Sequence, residues 1–74
     1  MKAERMMILR EVLRTMECYP DGKGLHEGDL KRTLGKVNAL DLYYLTDAGL
    51  LYRKGGYLKL SARGMDVAEQ TEGA

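Results

Sequence analysis

One cysteine, one histidine and almost no net charge set the first limits on this chain. With Cys18 alone, no disulfide can form within it, and a reducing cytoplasm is the compartment that suits such a sequence. Cys18 and His26 fall two ligands short of a zinc site, so no metal is expected. Twelve Lys and Arg against eleven Asp and Glu leave a net charge of +1. A dedicated nucleic-acid binder commonly carries a clear basic excess, so binding of that kind must come from local clustering of cations. Long apolar runs are missing as well. The opening MKAERMMILREVLR spaces its apolar residues with charges, which fits an amphipathic helix and excludes a signal peptide or a membrane span there. Internal repeats and low-complexity stretches are also lacking.

What is there describes a folded domain: 45% hydrophobic and 31% charged residues in 74 positions. That length allows one core, and such a domain stays marginal unless its helices pack well or it gains stability by association. From Ala3 to about Cys18, Met6, Leu9, Val12, Leu13 and Met16 recur at helical spacing with Ile8 beside them, while Arg5, Arg10, Glu11, Arg14 and Glu17 take the remaining surface. Cys18 itself reads as a small buried apolar residue at the end of that helix. Tyr19 to Gly24 forms a loop marked by Pro20 and two glycines. A second helix is expected from about Glu27 to Leu34, with Leu30 and Leu34 on one face, followed by a Gly35-Lys36-Val37 turn. Asn38 is placed to cap a third helix running to Ala48, with Asp41 suited to its first-turn dipole, and Gly49 is placed to end it in a left-handed conformation.

The stretch LTDAGLLYRKGGYLKLSARG, Leu45 to Gly64, carries the clearest signature. Leu50 to Arg53 and Tyr57 to Leu60 read as paired strands around a tight Lys54-Gly55-Gly56 turn, where glycine supplies positive φ angles. Ser61 caps a last helix from Ala62 to roughly Gln70, and Thr71 to Ala74 should fray. The domain is therefore expected over residues 1–70, mainly α with a small β-hairpin (α+β), in the order helix, helix, helix, hairpin, helix.

That order, with Leu45, Ala48, Gly49, Leu50 and Leu51 leading into a hairpin and Leu60, Ser61 and Gly64 leading out of it, resembles the winged helix-turn-helix transcriptional regulators of bacteria and archaea. The closing LKLSARGMDVA is similar to the end of small winged-helix proteins of Mu-like prophages. The resemblance spans about Leu25 to Ala68. It implies that Leu25 forms a single-residue strand against the wing, and that the third helix and the wing dock on duplex DNA. A fold hosts many functions, so the site needs its own argument.

On the third helix, Leu42 and Leu45 turned inward would leave Lys36, Ala39, Leu40, Tyr43 and Asp47 facing out, with Asn38 near that face. Asn38 can pair with adenine, Tyr43 can meet a phosphate or a thymine methyl, and Lys36 can anchor a phosphate. The plainer readings are a helix cap for Asn38, and for Tyr43 and Tyr44 one ring in the core with the other at its rim. From Asn38 to Ala48 there is no Lys or Arg, only Asp41 and Asp47, a departure from the family's basic reading helix. An exposed Leu40 beside Tyr43 fits the alternative of a protein-interaction module, since tyrosine often anchors such interfaces.

The wing concentrates Arg53, Lys54 and Lys59 with no acid between Leu50 and Leu60. These suit the phosphate backbone or a minor groove, or else a solvated edge that discourages strand pairing. Lys31 and Arg32 on the second helix can add backbone contacts or simply face solvent. A monomer with so few phosphate contacts would bind weakly. A homodimer through the first or last helix would double them, with Met7, Met65 and Val67 as the surface, unless these pack within the monomer. Catalysis is not expected, nor any cofactor. No nucleophile has a partner motif, His26 reads as a surface or capping residue, and Gly22 and Gly24 lack the phosphate-loop pattern.

Overall fold

A computed structural model describes residues 1–72 of the chain. Helix α1 (Ala3–Cys18) buries Ile8, Leu9, Val12 and Leu13, a single stripe at helical spacing. Met6 and Met16 extend this stripe as half-buried neighbours of the core. Cys18 is exposed, contrary to the expectation of a buried thiol. The reason is geometric: two residues past Met16, it lies about 200° around the helix from the inward stripe. The helix stops at Tyr19, which precedes a proline and so disfavours helical geometry.

The loop returns to the core through Gly24, whose φ is 105°. A Cβ there would stand 2.2 Å from the Leu58 carbonyl oxygen, so only glycine lets this strand approach. Strand β1 (Leu25–His26) follows, one residue longer than expected, and leads directly into α2 (Glu27–Leu34). His26 caps α2, its Nδ1 accepting the Gly28 N–H at 3.0 Å. Leu30 is the helix's buried anchor, and Gly35 at φ 83° turns the chain. In α3 (Ala39–Asp47), Asn38 Oδ1 accepts the Leu40 N–H at 2.9 Å, the expected cap. Gly49 leaves the helix at φ 76°.

Strands β2 (Leu51–Lys54) and β3 (Tyr57–Leu60) complete an antiparallel sheet in the order β1-β3-β2. The turn is the pair Gly55-Gly56 alone, at φ 59° and 83°, the two positive angles of a type I′ hairpin. Leu50 stands outside the ladder. Its N–H donates to Leu45 O at 3.0 Å and its carbonyl accepts the Ser61 N–H at 3.1 Å. The Leu60 N–H, which lies beyond the end of β1, donates to Met16 Sδ at 3.2 Å.

Ser61 joins the hairpin to α4 (Ala62–Glu72). Its hydroxyl accepts the Gly64 N–H at 3.0 Å and donates to Gly49 O at 2.5 Å. The last helix runs through Thr71 and Glu72, where a fraying tail was expected. The strong helix breaker in that stretch is Gly73, and no glycine or proline precedes it after Gly64. Gly73 and Ala74, the rest of the expected tail, lie outside the described residues. Gly64 and Ala68 face inward and bring α4 close to the hairpin base. Met65 and Val67 are half-buried against the core, which favours packing within the monomer over a free surface for them. The described chain is thus α+β, four helices with one three-stranded antiparallel sheet. No helix among the described residues is long and apolar enough to cross a membrane.

A Cβ on Gly64 would stand 1.9 Å from Leu50 O, a main-chain atom held by its own hydrogen bond. Gly64→Ala should therefore lower unfolding stability by about 1–3 kcal/mol, whereas Gly55→Asn, at a turn position with open space around it, should change it by about 0.5 kcal/mol or less. Urea denaturation of the two variants checks both values.

Candidate functional site

The orientation of α3 is set at its first turn. Asp41 is 3% exposed, buried between α3 and α1. Arg5 Nε donates to its Oδ1 at 3.0 Å, and Lys2 Nζ lies 3.5 Å from the same oxygen. The Arg5 guanidinium also sits 3.7 Å from the centre of the Tyr44 ring, a cation–π contact. Arg5, assigned to the free surface by its helical position, is thus half-buried and committed to α3. With Asp41, Leu42 and Leu45 inward, Leu40 and Tyr43 project outward at 70% and 67% exposure. Tyr44 is also exposed, so neither tyrosine enters the core as expected. Three inward positions already fill that side of a nine-residue helix.

The outer surface of α3 carries no cation. Lys36 is exposed just before it, and Asn38 Oδ1 is occupied by its cap. On α2, Lys31 is exposed, and Arg32 lies 3.5 Å from Asp29. A depression of about 290 Å³ separates α1 from the α2–α3 turn, with Met7, Leu34 and Val37 among its walls and Glu4 and Lys36 at its edges.

Cations gather instead on the outer face of the sheet. The register pairs Leu51 with Leu60 and Arg53 with Leu58, so these residues share the inner face, while Tyr52 pairs with Lys59 and Lys54 with Tyr57 on the outer one. Arg53, from its inner-face position, reaches Glu27 Oε1 at 2.8 Å. This is a charge pair without an aligned hydrogen bond. The charge expected to be free on the wing is therefore matched by an acid from α2. The main chain reinforces the link, with the Glu27 N–H donating to Gly56 O at 3.0 Å.

On the outer face, Lys54 and Lys59 join Lys23 around an open depression of about 580 Å³. Tyr52 and Tyr57 form its walls, Gly22 and Gly55 complete it, and among the described residues no carboxylate lines it. Lys23 Nζ lies 5.7 Å from the Tyr57 ring centre. The His26 ring meets Tyr57 edge-on, 5.1 Å between centroids at 80°. Of the expected site residues, the fold brings Lys54 and Lys59 together. Arg53 falls on the opposite face, Lys31, Arg32 and Tyr43 belong to α2 and α3, and Lys36 and Asn38 lie in the turn between those helices. Lys23, Tyr52 and Tyr57 were not among the expected site residues. The two tyrosines follow from hairpin alternation once the register is known. Lys23 depends on the Gly24 approach to Leu58.

No family model, curated protein or solved structure matches this chain, so its site is argued from geometry alone.

The buried carboxylate yields a test of the α3 frame. Arg5→Ala leaves Asp41 buried with the longer Lys2 pair, 3.5 Å, and without its hydrogen bond from Arg5, and should cost about 1–3 kcal/mol in urea denaturation. Adding Asp41→Leu, which removes the buried charge, should recover at least half of that loss.

Proposed function

We propose that the chain is a small winged-helix DNA-binding protein, a transcriptional regulator that approaches duplex DNA with its hairpin wing leading. The observation that carries this reading is the acid-free cluster of Lys23, Lys54 and Lys59 on the outer face of the hairpin. The element order supports it. Helices α2 and α3 are joined by a short turn, and the hairpin follows with β1 completing its sheet, the arrangement of a winged helix-turn-helix. In such a docking the lysines supply the sequence-independent attraction to phosphates. Lys36 extends it at the start of α3, and Tyr43 offers an apolar ring to a thymine methyl. Arg53 contributes less, because Glu27 already balances its charge.

A second reading is supported by the exposure of Leu40 and Tyr43 on a helix without Lys or Arg. Those side chains form an apolar patch suited to a protein partner. On that reading, Tyr43→Ala abolishes partner capture and leaves any DNA affinity intact.

The three hairpin-face lysines alone, Lys23, Lys54 and Lys59, give a salt slope, d log K/d log[salt], of about −3. Fluorescence anisotropy with a mixed-sequence duplex should show that slope. Lys54→Ala with Lys59→Ala should flatten it by about 2, while Arg53→Ala should change it by less than either lysine. Absence of duplex binding at low salt overturns the DNA reading.

A further inference from the structure

We infer that the depression on the outer face of the sheet is a seat for unpaired DNA, in which Tyr52 and Tyr57 stack on bases and Lys23, Lys54 and Lys59 hold the flanking phosphates. The inference rests on the DNA-binding reading above and specifies the form of DNA that this site prefers.

Duplex binding by a wing needs cations but has no use for two aromatic rings beside them, since paired bases hide their faces in the stack. Single strands expose those faces, and proteins that hold single strands combine a basic groove with aromatic platforms. Both parts are present here. Tyr52 is opposite Lys59 and Tyr57 is opposite Lys54, so rings and ammonium groups alternate in a checkerboard across two strands. The tyrosines are diagonal neighbours on one sheet face, a relation that places the residues about 7–8 Å apart with their Cβ atoms somewhat closer, within reach of two aromatic rings. A base sandwiched between two rings needs about 3.4 Å on each side, the rise between bases along a strand. The depression, about 580 Å³, has the capacity of a small-molecule site.

Charge selects the occupant. Three ammonium groups and no carboxylate line the depression, which favours a polyanion over an apolar peptide. The site is also held in place. His26 packs edge-on against Tyr57 and is itself fixed as the cap of α2. The hairpin tip is tied to α2 through the Glu27 N–H to Gly56 O bond. Tyr57 therefore stands ready, with little rotamer freedom left to lose on binding.

The test compares a blunt duplex with the same duplex bearing a 3′ oligothymidine overhang, by anisotropy at fixed low salt. The overhang should tighten binding about tenfold. Tyr52→Leu and Tyr57→Leu should each remove most of that gain while leaving blunt-duplex affinity unchanged, and Tyr57→Phe should retain it. Thermal melts of each variant show whether the fold is kept, and Tyr52→Leu, at an exposed position, preserves the test if Tyr57→Leu unfolds. Equal affinity for blunt and overhanging duplex in the unmodified protein overturns the unpaired-DNA seat and leaves the duplex reading standing. An overhang preference that survives both leucine variants also overturns it, and so does tighter binding of an oligouridine RNA overhang. Failure of every DNA to bind removes the parent reading and this one together.

Discussion

Strand β3 is the constraint on which the rest of the molecule depends. It is the central strand of the sheet, with Leu58 and Leu60 buried on its inner face and Tyr57 and Lys59 on its outer one. A strand has a period of two, so a slip of one residue would drive a tyrosine and a lysine into the core and expose both leucines. The described residues form one hydrophobic core, with no second one among them to absorb such an error. The composition of the outer face is therefore a by-product of the way the inner face is packed.

Several glycines and one serine hold that register. Gly55 and Gly56 set the two-residue turn, and Gly24 lets the incoming chain lie against the Leu58 carbonyl. At the far end, Leu50 leaves the ladder to bond Leu45 and Ser61, and Gly64 presses α4 against it. These contacts involve main-chain atoms, so they tolerate little adjustment. The hairpin is thereby clamped at its tip by α2 and at its base by α4. Its main chain is held in place, so the Cα positions of its outer-face residues keep a set spacing.

The elements were largely legible from residue pattern. Helical spacing marked α1, Asn38 and Gly49 bracketed α3, and the glycine pair marked the hairpin, because each signal is local and acts through backbone conformation. The long-range pairings were not legible. Asp41 suits a helix dipole from its position alone, but its burial under Arg5 requires knowing that α1 crosses the start of α3. Similarly, Arg53 looks like a free wing cation until Glu27 is placed beside it, since the two lie 26 positions apart. The wing cations divide for the same reason. A count of basic residues along the hairpin treats Arg53, Lys54 and Lys59 alike, whereas strand alternation sends Arg53 to one face and the two lysines to the other, where they meet Lys23.

On the proposed DNA-binding reading, a near-neutral net charge is compatible with local attraction to phosphates. Screening limits the reach of surface charge to about 8–10 Å at physiological salt. A chain of net charge +1 is not drawn to polyanions from a distance, but a lysine cluster without an acid among its lining residues still attracts phosphates on close approach. The same logic disfavours leading with α3. Asp47 is exposed on that helix and no cation within it offsets the charge, so bringing it against phosphates would cost Coulomb energy. An approach led by the outer hairpin face places lysines first. Affinity in such a system must come from what the site adds at contact, and on the proposed reading the pair of tyrosine rings is that addition.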